Sequence, residues 1–312
     1  VGSARSLEDY KIEGGLRYSF NNNNNEFFFT FKNRKHRLDR EYTFQRQTLT
    51  QQTNPITLEK LYIHQIKTVL RWPLSEVLAV QGTFSARNDR NVTLSTDRTS
   101  LREEDRSINW LGAKFEFIFD NTRNKGLNLY NGTRYKLFAE SYIVPEVGQS
   151  DMLIFGADFR HYQKIHRDLI FAGRFAGSTN VGNRKLVYYM GAVDNWIVLG
   201  DQSRFNNETT IAQDQNYYFQ TIATNMRGFI QNIRNGNSFA VINAEIRWPV
   251  VKYFMQKPIK SDFLKNFQVI GFSDVGTAWT GPSPYSEENA FNTREITRGS
   301  VRVILDNNKE PI

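Results

Sequence analysis

The feature that most restricts this chain is a two-residue alternation that recurs from end to end, while helical periodicity is scarce. In "LGAKFEFIFDN", Phe115, Phe117 and Phe119 share one face and Lys114 and Glu116 the other. In "GTRYKLFAESYIV", Tyr135, Leu137, Ala139 and Ser141 stand opposite Arg134, Lys136, Phe138 and Glu140. "LIFGADFRHYQ" sets Phe155, Ala157, Phe159 and His161 against Gly156, Asp158, Arg160 and Tyr162, and "LIFAGRFAG" continues with Leu169, Phe171, Gly173 and Phe175. Near the end, Ala240, Ile242, Ala244, Ile246 and Trp248 alternate with Asn243, Glu245 and Arg247. One face is apolar, small or aromatic. The other carries charges in mid-strand, which suggests a polar interior rather than a dry core. The chain reads as all-β and antiparallel.

Periodicity alone leaves two architectures open. In a soluble sandwich the charged face meets bulk water. In a transmembrane barrel it lines a wet lumen, and the apolar face meets lipid. Connection lengths favour the barrel. Trp72–Glu76, Asn121–Gly126 and Lys164–Asp168 are short, whereas Asn88–Ser107 and Gly281–Gly299 are long and polar. The stretch from Asn180 to Met226 is longer than a sandwich loop. Short turns on one side and long loops on the other are the habit of outer-membrane barrels. Val144–Asp151 is of moderate length, and "VKYFMQKPIKSDFLKN" is long where a short turn is due. About 12 strand-like segments are visible, within the range of such barrels. Asn21–Asn25 reads as a hairpin loop. No repeat of fixed period and no interdomain linker stands out, so 1–312 reads as one domain.

Composition fits this reading. A mean hydropathy of −0.55 and the lack of any run of about 18 apolar residues exclude a transmembrane helix. They leave a barrel open, because a spanning strand is apolar only at alternate positions. Aromatic residues make up 14%, with Phe 24 and Tyr 14. Girdles at two membrane interfaces would use them, as would any β protein. With Cys 0, disulfides, thiolate metal sites and thiol nucleophiles are excluded. The net charge of +8 is spread among acids rather than gathered in a block, which argues against nucleic acid as a partner. The opening "VGSARSLEDY" reads as the middle of a longer chain.

Three motifs occur in order near the end: "MRGF" (Met226 to Phe229), "NAEIRWPV" (Asn243 to Val250) and "QVIGFSDVGTAW" (Gln268 to Trp279). This triplet resembles the outer-membrane assembly barrels of the BamA/TamA type, the bacterial surface antigen superfamily. In that family a Val-Arg-Gly-Phe/Tyr motif lies in a long outer loop that folds into the lumen. The next strand carries Glu in an E-x-x-x-P context, and the strand after it Asp in an aromatic-x-Asp-x-Gly context. Carried over by residue, Arg227, Gly228 and Phe229 take the loop motif, Glu245 the first acid, and Asp274 with Gly276 the second context. Met226 replaces the usual Val. "YYMGAVDNW" resembles the aromatic-Gly-Gly segment that opens the same loop, with Ala192 in place of the second Gly, and Phe119–Phe138 resembles the family's mid-barrel hairpin. The resemblance implies a loop lock in which two lumen carboxylates grip one guanidinium fork. It also implies a 16-stranded barrel in a Gram-negative outer membrane, here without its first and last strands or its preceding periplasmic domains.

The implied function is insertion of barrel proteins into the outer membrane, or passage of polypeptides across it. Implied partners are outer-membrane lipids, unfolded outer-membrane or secreted clients, and periplasmic or lipoprotein accessory subunits. No cofactor and no reaction is implied. Three alternatives stay open: a passive pore or structural barrel subunit, the membrane anchor of a fused enzyme, and a soluble sandwich. Enzymatic signals are weak. "GFSDVG" is not a nucleophile elbow, because its second glycine is one residue late. His36, His64, His161 and His166 lie in no metal-ligand spacing, and no phosphate-binding or dinucleotide fingerprint is present. Asp120-Asn121-Thr122 is turn chemistry, and Glu103-Glu104 and Glu287-Glu288 lie in expected loops.

Overall fold

The computed structural model describes residues 9–19, 24–52, 58–94, 104–145, 149–193, 205–212, 215–255, 258–286, 289, 294–298 and 301–305. The strands are β1 (Tyr10–Ser19), β2 (Asn24–Asn33), β3 (Asp39–Gln52), β4 (Leu58–Pro73), β5 (Leu78–Leu94), β6 (Arg106–Asp120), β7 (Arg123–Gly126), β8 (Leu129–Val144) and β9 (Gln149–His166). They continue with β10 (Leu169–Val181), β11 (Lys185–Met190), β12 (Tyr217–Ile222), β13 (Arg234–Gly236) and β14 (Ser238–Trp248). After the short helices α1 (Val250–Phe254) and α2 (Asp262–Asn266) come β15 (Val269–Trp279), β16 (Arg294–Arg298) and β17 (Val301–Leu305). A 12-stranded antiparallel sheet runs in the order β1-β2-β3-β4-β5-β6-β8-β9-β10-β14-β15, with β7 paired to β8. Strands β12-β11-β13 form a second sheet, and β16-β17 a hairpin.

Contacts divide the chain into two compact units. One comprises Val1–Ile118 with Phe138–Leu153, the other Phe119–Leu137 with Ile154–Ile312. In the first unit the alternation is realised with polarity reversed relative to a water-soluble protein. Phe27, Phe29, Phe44, Phe84 and Phe115 point outward, and Phe115 is 60% exposed. The opposite parity lines an open cavity of about 530 Å³, where Glu, Lys and Gln side chains stand among threonines, Phe28 and Tyr142. Lys32 bridges Glu13 on β1 at 2.7 Å and Glu41 on β3 at 3.7 Å. Lys114 bridges Glu140 at 3.1 Å, and Gln81 donates to Glu116 at 2.7 Å. Residues 20–23 lie outside the described residues, while Asn24 and Asn25 begin β2.

The second unit shows the same reversal. Ile242 on β14 is 57% exposed and Val275 on β15 is 66% exposed. Phe155, Phe159, Phe171 and Phe175 are also exposed. The other face of β14 has two zones. Its far end is a dry cluster in which Phe239 and Val241 pack with Ala176, Tyr188, Met190, Met226 and Ala278. The expected polar interior begins only at Asn243 and continues through Glu245 and Arg247. Sequence reading took that parity from its polar half. The dry half is supplied by Tyr188, Met190 and Met226 from the stretch between β10 and β14, which covers it. Tyr188 stacks edge-on against Phe239 at 4.8 Å and shares a hydrogen bond with Ser178 at 2.8 Å.

Three connections differ from a plain turn. Asn121–Gly126 contains β7, which pairs with β8. Lys164 to His166 extend β9, leaving only Arg167 and Asp168 as the turn. The long link after β14 folds into α1 and α2. Among the described residues no helix is long and apolar enough to cross a membrane, which says nothing about crossing by strands.

An asparagine clasp closes the far end of the second unit. Asn180, 0% exposed, accepts from Leu186 N at 2.9 Å and donates to the carbonyls of Leu186 and Asn237, both at 2.8 Å. Asn237 returns a bond to Asn180 O at 2.7 Å and accepts from Gly281 N. Asn180→Ala would take the side-chain partner from both Leu186 N and Leu186 O, while Asn237 O keeps its bond from Asn180 N, at a cost of roughly 1–3 kcal/mol. The expected result is a lower urea midpoint, with unchanged strand content by circular dichroism.

Candidate functional site

The register of β14 with β15 sets the site. Asn243 lies opposite Asp274, and Glu245 opposite Phe272. Directly opposed residues point to the same face, so Glu245 and Asp274 stand diagonally on one polar surface. The loop between β12 and β13 lies over that surface and carries Arg227. Its Nε donates to Asp274 Oδ2 at 2.8 Å and its Nη2 to Asp274 Oδ1 at 2.7 Å, a two-pronged grip. Nη1 donates to Glu245 Oε1 at 2.6 Å. The backbone N–H of Arg227 adds a third bond to Asp274, at 2.8 Å. Beneath the guanidinium lies the Phe272 ring, 4.0 Å from its centroid, where the face of the ring attracts a cation.

The network continues along β14. Glu245 Oε2 accepts from Arg247 Nε at 2.8 Å, and Arg247 Nη1 donates to Asn128 O at 2.7 Å. On the neighbouring strands Asp158 receives both Arg160 and Arg174, with salt-bridge distances of 2.8 and 2.7 Å. The Asp274 side chain is 1% exposed, Glu245 18% and Arg227 27%. The hydrogen bonds that Arg227 donates to Asp274, and to a lesser degree to Glu245, push its pKa above its already high ordinary value, against the desolvation that would lower it. The fork therefore stays charged.

Local backbone chemistry explains how the loop arrives. Ala192 forms a β-bridge with Met226: Met226 N donates to Ala192 O at 2.9 Å, and Ala192 N to Phe229 O at 2.8 Å. The Arg-Gly-Phe turn is thereby pinned at both ends by one residue. Gly228 has φ +85 with nothing within 4 Å of a built Cβ, so its need is conformational. Gly276 is needed for space, since a Cβ there would sit 2.6 Å from Val241 Cγ2. Ala192 holds φ 65, a left-handed conformation, at the position where the resemblance has glycine.

Arg227, Glu245 and Asp274 are thus brought together, with Gly228 and Gly276 shaping their supports. Phe229 is not part of the cluster. Its side chain is 40% exposed, and only its carbonyl is used. The platform role of Phe272 is not legible from sequence, although it is the aromatic of the aromatic-x-Asp-x-Gly context. Nor does the sequence reading assign Arg247 as the second partner of Glu245, or pair Asp158 with Arg160 and Arg174. The signal available for these was shared parity on neighbouring strands. Glu103, Glu287, Glu288 and the segment 194–196 lie outside the described residues. His161 bonds Thr133 and His166 bonds Tyr253, each at 2.8 Å. Among the described residues no group of three or more His, Cys, Asp and Glu could hold a metal ion.

The sequence matches no protein-family model and no curated protein. Solved structures do match. BamA from Haemophilus ducreyi lacking POTRA domains 1-3 superposes with a TM-score of 0.52 at 9% identity, over 87% of this chain and 58% of that one. The chain has the fold of that barrel. CdiB from Acinetobacter baumannii gives 0.50 at 11% identity, over 95% of this chain and 48% of its own. The chain spans about half the length of these proteins, and at such identities the likeness is one of fold alone.

Four substitutions probe the site. Arg227→Ala would leave the Asp274 carboxylate buried without its cation, a loss of roughly 3–5 kcal/mol. In a double-mutant cycle by urea unfolding, Arg227→Ala and Asp274→Ala should couple by about 1–3 kcal/mol, and Arg227→Lys should recover only part of the loss. Ala192→Gly should stabilise the protein by about 1 kcal/mol by relieving the left-handed alanine, read as a higher unfolding midpoint.

Proposed function

We propose that this chain is the membrane-spanning barrel of a Gram-negative outer-membrane protein that inserts barrel proteins into the membrane or moves polypeptides across it. The observation that carries the proposal is the Arg227 fork. A loop arginine is gripped by carboxylates on two neighbouring strands, within a fold shared with BamA and CdiB. A porin-like wall needs charges on its inner face, but it does not need a loop pinned there by a carboxylate on each of two strands, one of them buried. On this reading the polar faces line a lumen, and residues 1–312 form part of one barrel. The clients are unfolded outer-membrane or secreted proteins, and accessory subunits bind on the periplasmic side. The lock would hold the loop inside the lumen while a strand seam opens. The apolar outward residues would face lipid.

Two measurements test the reading. Depleting the full-length protein in its own bacterium should lower the amount of other folded barrel proteins in the outer membrane. Expression of wild type should restore them and Arg227→Ala should not. Unchanged levels of other barrels would favour a passive pore or an anchor and sink the assembly role. Independently, Ile242→Arg on the outward face should cost about 2–4 kcal/mol if it sits near the bilayer midplane. A soluble protein would tolerate it, so an unchanged heat-dependent gel shift would remove the lipid-facing assignment.

A further inference from the structure

The link between β14 and β15 is too long for a turn, and after the buried Pro249 its two helices bury no side chain. Helices of five residues have little intrinsic stability, so something other than their own hydrogen bonds must fix them. At one end α1 is stapled to the β9–β10 turn. Arg167 donates to Tyr253 O at 3.0 Å, His166 shares a hydrogen bond with Tyr253 Oη at 2.8 Å, and Lys252 meets Asp168 at 3.2 Å. Trp248 at the end of β14 stacks edge-on against Tyr253 and Phe254. Gln268 ties the far end of the link to Leu127 O at 2.5 Å. The link is thus held against the short-turn end of the second unit.

Beyond those ring contacts its apolar side chains are largely uncovered. Phe254 is 63% exposed and Phe263 73%, and Met255, Leu264 and Phe267 are also exposed. They alternate with cations: between Pro249 and Gln268 the sequence holds Lys252, Lys257, Lys260 and Lys265 against a single Asp262. Lys260 and Lys265 meet no carboxylate within salt-bridge distance among the described residues. The exposed apolar surface continues onto the outward residues Ile246 of β14 and Val269 of β15. Aromatic and aliphatic side chains interleaved with lysines, continuous with an apolar strand surface, match a bilayer boundary, where acyl chains adjoin phosphate head groups.

We propose that the α1–α2 link is a membrane-surface anchor. It seats Phe254, Phe263, Leu264 and Phe267 at the acyl boundary of the leaflet on the short-turn side and binds lipid phosphates through Lys260 and Lys265. This rests on the barrel reading above. The anchor fixes the depth of the β14–β15 pair, and so of the strands that carry Glu245 and Asp274.

The chain has no native cysteine, which allows single-site labelling. The full chain would be reconstituted in phosphatidylethanolamine vesicles with and without phosphatidylglycerol. An environment-sensitive fluorophore would be placed at Asn266→Cys in the link, or at Val275→Cys on the outward face of β15. The expected result is that lipids spin-labelled near the head group quench most of the Asn266→Cys signal, and more strongly with phosphatidylglycerol. Combining Lys260→Glu and Lys265→Glu should abolish that quenching and leave the Val275→Cys signal quenched by lipid. If Val275→Cys is quenched by lipid while Asn266→Cys is quenched only by aqueous iodide, the link lies in water and the anchor is refuted with the barrel intact. If Asn266→Cys is shielded from both quenchers, protein covers the link and the lipid assignment falls. If quenching survives the charge reversal, phosphate recognition is refuted. If lipid fails to quench Val275→Cys, the barrel reading fails first, and the anchor with it.

Discussion

A carboxylate on each of two adjacent strands, both committed to one guanidinium, is the interaction on which the second unit depends. Asp274 is almost wholly withdrawn from water, and such a charge is tolerable only with its cation and hydrogen bonds in place. Arg227 supplies three of those bonds to Asp274, counting its backbone, and one to Glu245. The loop therefore cannot leave without stranding the charge. Phe272 beneath the fork and Arg247 on the far oxygen of Glu245 keep each partner oriented.

The polar lock works beside an apolar one. Met226, the residue before Arg227, sits in the dry cluster with Tyr188, Met190, Phe239 and Val241. Burial of these side chains is non-directional and holds the loop against the sheet. The charge-assisted bonds are directional and set where along β14 it rests. The change from Phe239 and Val241 to Asn243 and Glu245 on one face of one strand is the boundary between the two.

Much of the sheet was legible in the sequence because a two-residue period is a direct image of a strand with unlike faces. Phe115 beside Glu116 and Phe159 beside Asp158 need no tertiary information to be assigned to opposite sides. The three lock residues were legible only through their ordered motifs, since nothing local to Glu245 distinguishes it from Glu116 or Glu140. Other features were illegible for a physical reason. Phe239 and Val241 are apolar on the parity read as polar, and what dries them comes from Tyr188 and Met226, which alternation cannot place. Asn180 looked like loop material, yet its amide stitches backbone groups at Leu186 and Asn237. Phe229 belonged to the motif by sequence, but its side chain stays outside the cluster. The helices α1 and α2 lie where a turn was due, and no period-two rule describes a segment held by end contacts such as Arg167 to Tyr253 O.

The diagonal placement of Glu245 and Asp274 also bears on how the structure is assembled. A strand displaced by one residue along its neighbour turns every side chain to the other face. Such an error between β14 and β15 would send Asp274 outward and bring Ser273 or Val275 beneath the arginine. Arg227 precedes Asp274 by 47 positions, so the full contact requires both strands and the loop to be in place together. The fork thus reports on register: its full set of bonds fits only when β14 and β15 are correctly aligned.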